Sequence, residues 1–336
     1  PDRIYRNRGD GTFEDVTTKF GFASEPARYG LSVDVFDADL DGDRDVYVAN
    51  DTHANSFWEN DGKGNFTEVA LLNGTALSAE GVAQAGMCVV HEDLDADGRF
   101  DLVVTAFARD YNTVYRRRPE GTYDDVTAAV GVAKPTWNRL AFGAVAEDFD
   151  HDGFVDLFFA NGHVFPEIEG KNLDTTYRQS NQILRQSNGF QFKDVSEASG
   201  PAFALKALGR GAVAADFDED GRKDLIVNNL DGRPHLLMNR TPPRGRSIAV
   251  RLRAAPNVLD RNCVGAVVSV TAGGKTRIRQ VSSGGSFASG SLDDLHFGLG
   301  AAEIVDEIVV RYSDGVVERR AGVPAEGRAT FLRAER

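Results

Sequence analysis

Two cysteines, two methionines and two tryptophans in 336 residues leave no room for a dense disulfide framework. Cys88 and Cys263 fall in different predicted domains, inside apolar β patterns, and read as buried thiols. Histidine is scarce too. His53, His91, His151, His163, His235 and His296 show neither H-x-x-x-H nor Cys/His spacing, which argues against zinc. Basic charge is in deficit, with 38 Lys and Arg against 51 Asp and Glu, and the net charge of −13 excludes the basic surface that nucleic-acid binding needs. No run approaches the ~18 apolar residues of a membrane-spanning helix, and no charged-then-apolar leader precedes Pro1. G-x-S-x-G is absent, and GRGAVA from Gly209, the nearest match to a dinucleotide fingerprint, runs into an acidic loop instead of a helix. No catalytic constellation is assembled in the sequence, so the reading leans away from an enzyme.

What the chain does have is repetition. Residues 37–45 (DADLDGDRD), 93–101 (DLDADGRFD), 148–156 (DFDHDGFVD) and 216–224 (DFDEDGRKD) all obey D-x-D-x-D-G-x-x-D. Their first aspartates are separated by 56, 55 and 68 residues, the long interval holding a polar, Gly/Pro-containing insertion over residues 162–181. A second pattern recurs out of phase: IYRNRGDGTFEDVT from Ile4, FWENDGKGNFTEV from Phe57, VYRRRPEGTYDDVT from Val114 and ILRQSNGFQFKDVS from Ile183. Each is a β-rich run, a turn and an alternating run, the signature of a hairpin. Short Val- and Phe-rich runs flank each Asp loop, too short for helices. Each repeat therefore yields four strands, which predicts an all-β fold: a β-propeller of four-stranded blades over residues 1–240. After Thr241-Pro242-Pro243 the loops cease, and alternating runs over 247–336 predict a small antiparallel β-sandwich.

The Asp loops carry the chemistry. Carboxylates at alternate positions face one side of a tight turn, and Gly at position six lets the backbone curl so that the position-seven carbonyl faces inward. The expected ligands are Asp37, Asp39, Asp41, the Asp43 carbonyl and Asp45; Asp93, Asp95, Asp97, the Arg99 carbonyl and Asp101; Asp148, Asp150, Asp152, the Phe154 carbonyl and Asp156; and Asp216, Asp218, Asp220, the Arg222 carbonyl and Asp224. An all-oxygen shell suits a hard cation, so about four Ca²⁺ are expected. The helix-loop-helix calcium motif needs Glu at position twelve, occupied here by Val48, Val104, Phe159 and Val227, so the loops join strands. Solvated acidic turns are the bland alternative, but such carboxylate clusters repel one another without a cation. Glu92 and Glu147, just before two of the loops, read as loop supports.

These residues resemble the integrin-α-like FG-GAP/VCBS propeller repeats, with the Phe142-Gly143 dipeptide and all four loops in place. NCVGAVVSVTAGG from Asn262 and LHFGLG from Leu295 resemble the ASPIC/UnbV domain of the cartilage acidic protein-like group, as does NGHVFPEIE from Asn161. The resemblance implies calcium binding and a secreted, extracellular or periplasmic location. It also implies more blades than four loops and an N-terminal half-repeat provide.

If each loop joins the first two strands of a blade, the residues at the far ends of those strands share the opposite face. That face would collect Arg28, Tyr29, Gln84, Trp137, Arg139 and Arg210 from strand entries, and His53, Arg109, Tyr111 and His163 from exits. Aromatic, Arg and His side chains on a concave rim suit a protein, glycan or small-molecule ligand; strand-end capping is the plainer reading. The leading expectation is a calcium-binding scaffold with a protein or glycan partner on this face. The alternative is a cyclase or isomerase of a natural-product pathway, with its pocket at the rim.

Overall fold

A computed structural model describes residues 2–22, 27–171, 173–255, 262–291 and 293–333. An N-terminal hairpin, β1 (Tyr5–Asn7) and β2 (Phe13–Asp15), precedes the first full sheet, formed by β3 (Gly30–Phe36), β4 (Asp45–Asn50), β5 (Ser56–Asn60) and β6 (Phe66–Glu68). The second sheet is β7 (Gly86–Glu92), β8 (Asp101–Ala106), β9 (Thr113–Arg117) and β10 (Tyr123–Asp125). The third takes β11 (Ala141–Glu147) and β12 (Asp156–Asn161), skips the short β13 (Gln179–Ser180), and ends with β14 (Gln182–Ser187) and β15 (Gln191–Asp194). β16 (Lys206–Ala207) pairs with β13. The fourth sheet has three strands, β17 (Gly209–Ala215), β18 (Asp224–Asn229) and β19 (His235–Leu237), because the chain then leaves for the C-terminal domain.

Every Asp loop closes its hairpin in one register: Phe36 opposite Asp45, Glu92 opposite Asp101, Glu147 opposite Asp156, Ala215 opposite Asp224. The inner strands β3, β7, β11 and β17 lie side by side, and the core fills the spaces between sheets. Phe36, Tyr47 and Phe57 of the first sheet bury Val89, Leu102 and Tyr115 of the second, and Cys88, Val103 and Val114 of the second meet Ala144 and Phe159 of the third. The Phe-Gly dipeptide explains itself at the third interface. A Cβ on Gly143 would fall 2.5 Å from the Arg210 carbonyl oxygen, so only glycine lets β11 and β17 approach this closely.

The C-terminal domain stacks the sheet β23-β20-β26 on the sheet β22-β21-β24-β25, built from β20 (Arg246–Ala254), β21 (Val267–Ala272), β22 (Lys275–Gln280), β23 (Leu295–Gly300), β24 (Ile304–Arg311), β25 (Val317–Pro324) and β26 (Glu326–Arg333). Between them lies a core of Val250, Val268, Ile308 and Phe331. One detail departs from the antiparallel expectation: β20 and β26 pair in parallel. The first and last strands of the domain are far enough apart in sequence to permit the crossover that a parallel pair requires. Cys88 and Cys263 are buried in different cores. Among the described residues no helix is long and apolar enough to cross a membrane.

No local pattern marks where the C-terminal domain docks. It sits on the loop face of the blades. Arg44 donates to the Val264 carbonyl at 2.6 Å, Arg311 to that of Leu40 at 3.0 Å, and Lys223 pairs with Asp293 at 2.7 Å. The Gly/Ser-rich segment after β22 enters the space among inner strands, where Ser286 Oγ accepts from Ala144 N–H at 3.2 Å and Phe287 packs on Phe142 with ring centroids 4.8 Å apart.

Candidate functional site

The four loops share one hydrogen-bond design. The position-six glycines, in left-handed backbone at φ 103, 81, 89 and 88°, donate to the first aspartate of their own loops: Gly42 to Asp37 at 3.1 Å, Gly98 to Asp93 at 3.2 Å, Gly153 to Asp148 at 2.7 Å and Gly221 to Asp216 at 2.9 Å. The ninth aspartate does more than close the cage. Asp45, Asp101, Asp156 and Asp224 each accept from the position-two N–H through Oδ2, at 3.0, 3.1, 3.3 and 3.1 Å. Through Oδ1 they accept from Asn60, Arg117 and Gln186 in the third strand of the same blade, at 2.9, 2.8 and 2.8 Å, and in the fourth blade from Asn239, two residues past β19, at 2.6 Å. Each ninth aspartate thus ties loop to sheet. Position four is also left-handed in every copy without being glycine: Leu40, Ala96, His151 and Glu219 have φ of 65, 58, 61 and 57°. Such a backbone persists only where the surrounding bonds fix it.

In each loop at least three carboxylates bring oxygens within 4.8 Å of one another: Asp37, Asp39 and Asp41; Asp93, Asp95 and Asp97; Asp148, Asp150 and Asp156; Asp216, Asp218 and Asp224. Burial first, with neighbouring carboxylates adding to it, pushes Asp45 and Asp148 up to about 7 and Asp93 up to about 8. Arginines partly neutralise three loops. Arg116 pairs with Asp95, Arg244 with Asp150 at 2.9 Å and Arg240 with Asp218 at 2.8 Å. Among the described residues no ion pair reaches the first loop. Buried oxygens without a hydrogen-bond donor remain at Asp37 Oδ1, Asp43 Oδ1 and Asp148 Oδ1. Orphaned acceptors in an all-oxygen cage are what a hard divalent cation satisfies, so the donor set fits one.

The C-terminal domain covers the two middle loops. Ile278 N–H donates to Asp93 Oδ2 at 3.1 Å. A Cβ built on Gly298 would fall 1.6 Å from Asp148 Oδ2, so glycine is required where β23 crosses the third loop. Arg279 lies buried between Glu147 at 2.7 Å and Glu92 at 3.4 Å. Those glutamates serve the docked domain, a role their position before the loops did not reveal.

On the opposite face the predicted rim residues divide into groups. Arg109, Trp137 and His163 come together around a pocket of about 610 Å³. Its apolar walls are Phe107, Phe165, Ile168 and Leu173, and Asn138, Lys171 and Asp174 add polar groups. Trp137 and Phe165 keep 45% and 57% of their surface exposed, leaving ring faces for a ligand. Arg109 and Lys171 have no carboxylate partner among the described residues. His163 is buried and accepts from Phe165 N–H at 3.1 Å, and burial, then the nearby Arg210, lowers its pKa. Arg28, Tyr29 and His53 gather separately on the first blade, where Arg28 bonds Ser56 at 2.7 Å and the rings of Tyr29 and His53 meet edge to face at 5.2 Å. Four others hold the frame. Gln84 bonds Thr113 and the Tyr111 carbonyl at 2.6 and 3.1 Å, the Tyr111 hydroxyl donates to Glu80 at 2.6 Å, and Arg139 reaches Ser180 at 3.1 Å. Arg210 binds the carbonyls of Gly162 and Gly209 at 3.0 and 2.8 Å, over the Phe142 ring. Sequence reasoning missed Phe165, Lys171 and Leu173, although the 68-residue spacing had marked their insertion, and insertions in repeats gather on one face.

Residues 1–48 and 93–159 match the FG-GAP-like repeat family, and residues 257–336 match the ASPIC and UnbV family. The chain is therefore an FG-GAP-like repeat protein with a C-terminal ASPIC/UnbV domain. It is a distant homologue of cartilage acidic protein 1, at 25% identity to the mouse protein over 333 residues and 25% to the human protein over 332. Those alignments cover 96% and 95% of this chain but 47% and 46% of the relatives, so the chain spans about half their length. Among solved structures, an Agrocybe aegerita lectin that recognises non-reducing terminal N-acetylglucosamine aligns over 95% of this chain and 74% of its own, at 15% identity and a TM-score of 0.41. A Bacillus licheniformis rhamnogalacturonan lyase aligns over 91% and 73%, at 10% identity and a TM-score of 0.35.

Proposed function

We propose that this chain is a calcium-stabilised scaffold, working outside the cytosol, that binds a glycan through the pocket on the face opposite its Asp loops. Calcium is the reading for the cation because the cages offer only oxygen donors, several of them carboxylates, and such shells take larger hard ions well. A location where free calcium is high keeps the cages filled without tight binding.

The observation that carries the ligand reading is the 610 Å³ pocket itself. Exposed rings of Trp137 and Phe165 offer apolar faces to the C–H side of a sugar, while Arg109, Asn138 and Lys171 offer hydrogen bonds to its hydroxyl or acidic groups. Glycan and peptide arrays probed with calcium-loaded protein test it. Trp137→Ala should weaken captured glycan binding by roughly tenfold to a hundredfold, in line with loss of a central aromatic anchor, while calcium content and melting temperature hold. Capture of peptides alone, or glycan binding indifferent to Trp137→Ala and Arg109→Ala, would refute the assignment.

A further inference from the structure

The C-terminal domain reaches between the blades toward the face opposite its own docking site. Its Gly/Ser-rich segment leaves β22 on the loop face and descends among the inner strands. The contacts record that descent. Ser286 lies level with the middle of two strands, where its N–H donates to the Val89 carbonyl at 3.4 Å and its Oγ accepts from Ala144 N–H at 3.2 Å. Phe287 goes deeper, onto Phe142 at the rim end of β11. Two glycines open the passage. A Cβ on Gly211 would fall 2.2 Å from Ser289 Oγ and 2.9 Å from the Phe287 carbonyl oxygen, and one on Gly143 would fall 3.1 Å from Ser286 Oγ. Ser286 and Ala288, on either side of Phe287, stand in left-handed backbone at φ 72 and 45°, which non-glycine residues keep only where their surroundings fix it.

The tip of this segment stands behind the rim pocket. Phe287 packs against a cluster that includes Ala108, Leu140 and Phe142, and Phe107 packs against the same cluster. Phe107 and Ala108 are also part of the pocket wall. On its pocket side the Phe107 ring meets that of His163, with centroids 5.1 Å apart. Arg109 comes next in the chain, and its N–H donates to the Trp137 carbonyl at 2.7 Å. The turn that carries the cationic group and holds the exposed indole is therefore backed by the cluster on which Phe287 sits. A second route starts from the same ring. Phe142, 4.8 Å from Phe287, lies 4.0 Å under the Arg210 guanidinium, which holds the carbonyls of Gly162 and His163 at 3.0 and 3.3 Å. Those carbonyls begin the insertion that supplies Phe165 and Lys171.

We propose that Phe287 is a positioning residue for the rim pocket, so that the site is built by both domains. This rests on the rim pocket being the ligand site. Phe287 is absent from the pocket lining and acts through the wall, by fixing where Phe107, Arg109, Trp137 and His163 stand. Close packing is what lets it act at that distance. Interiors are dense enough to transmit a displacement, and deleting a ring leaves a cavity into which the neighbouring wall relaxes only in part. Ligand affinity on one face thus depends on a side chain delivered from the domain docked on the other.

The test reads the pocket both without and with a ligand. Of the two tryptophans, Trp58 is buried in the first blade and its Nε1 has no hydrogen-bond partner, so Trp58→Phe leaves Trp137 as the sole indole reporter at little cost. In that background Phe287→Ala should lower melting by several degrees and raise acrylamide quenching of Trp137. Phe287→Leu should do less of both. Val268→Ala, in the core of the C-terminal domain, should lower melting without moving the quenching. For a glycan that the parent protein captures, Phe287→Ala should weaken binding by roughly threefold to thirtyfold, with calcium content unchanged. Quenching that stays put while melting falls overturns the proposal, read from Phe287→Leu if Phe287→Ala does not fold. So does an equal rise in quenching from Val268→Ala, or an unchanged affinity for the captured glycan. Arrays on which the parent protein captures no glycan refute the ligand reading instead, and the quenching then decides the role of Phe287 alone.

Discussion

The middle two Asp loops and the outer two share a nonapeptide pattern but differ in what surrounds them. In the third loop Asp148, Asp150 and Asp156 are all buried, whereas in the first only Asp37 of Asp37, Asp39 and Asp41 is. The difference comes from residues outside the pattern. The position before the first aspartate is Glu92 or Glu147 in the middle loops and Phe36 or Ala215 in the outer ones. The two glutamates clasp Arg279 of the C-terminal domain, and that clasp brings Ile278 onto Asp93 and Gly298 onto Asp148. One sequence device therefore makes two kinds of site: two under a lid clasped through Arg279, and two that the C-terminal domain touches from the side, through Gln280 on the Asp37 N–H and Asp293 on the Asp216 N–H and Lys223, leaving Asp39, Asp41 and Asp218 exposed.

The largest expected effect is loss of the ions altogether. A ligand at about a hundred times its Kd stabilises by about 2.7 kcal/mol per site, so chelation of four sites should lower melting by about 10 °C or more. The comparison sharpens in the kinetics. Mixed with a fluorescent chelator, the protein should release calcium in two phases, fast from the outer loops and slow from the middle ones. A single phase would mean that the C-terminal domain does not guard its two loops.

The next effect breaks the lid. Arg279→Ala leaves Glu92 and Glu147 buried beside each other without their cation, a change that typically costs about 3–5 kcal/mol. Melting should fall by several degrees, the slow release phase should merge with the fast one, and trypsin should gain access to the connection between β19 and β20. Arg279→Lys keeps the charge and should recover part of the slow phase. If Arg279→Ala lowers melting but leaves release biphasic, the residue is a structural prop only and the docking account fails.

Much of this contrast was beyond the reach of sequence reading. Strand count per repeat and the clustering of loop carboxylates were legible because they are local: periodicity of two, a turn glycine, carboxylates on alternate residues. The ninth aspartate's bond to the third strand was not, since Asp156 and Gln186 lie 30 residues apart and no periodic pattern links them. Domain docking is less local still. Arg279 reads as one more alternating residue of β22 until Glu147, far away in the chain, faces it. At the rim the strand-end rule found Arg109, Trp137 and His163, which share a pocket. It also gathered Gln84 and Arg210, which spend their polar groups on the backbone and on Thr113. Position on a face is predictable from topology, but whether a side chain turns outward depends on neighbours that topology does not specify.

The smallest effect separates proton from metal in the cages. With burial and like charge pushing Asp45 and Asp148 up to about 7 and Asp93 up to about 8, the metal-free native state holds protons that the unfolded chain, with carboxylates near 3.9, has released. Where the native state binds more protons than the unfolded state, stability falls as pH rises. The contribution is therefore whole below about pH 4 and is lost as pH climbs through 7 to 8. In chelator, the melting temperature should drop by a few degrees between pH 5.5 and pH 8.5. On the proposed reading calcium replaces those protons and would hold the carboxylates ionised, so the same scan in excess calcium should be flat or rise slightly, and calcium uptake near neutral pH should release protons. The middle loops set most of the slope, because Asp93 and Asp148 are the ones the C-terminal domain dries. Asp148→Asn should flatten the chelated profile more than Asp39→Asn does, and an equal flattening by both would show that the domain's cover makes no electrostatic difference to the cages beneath it.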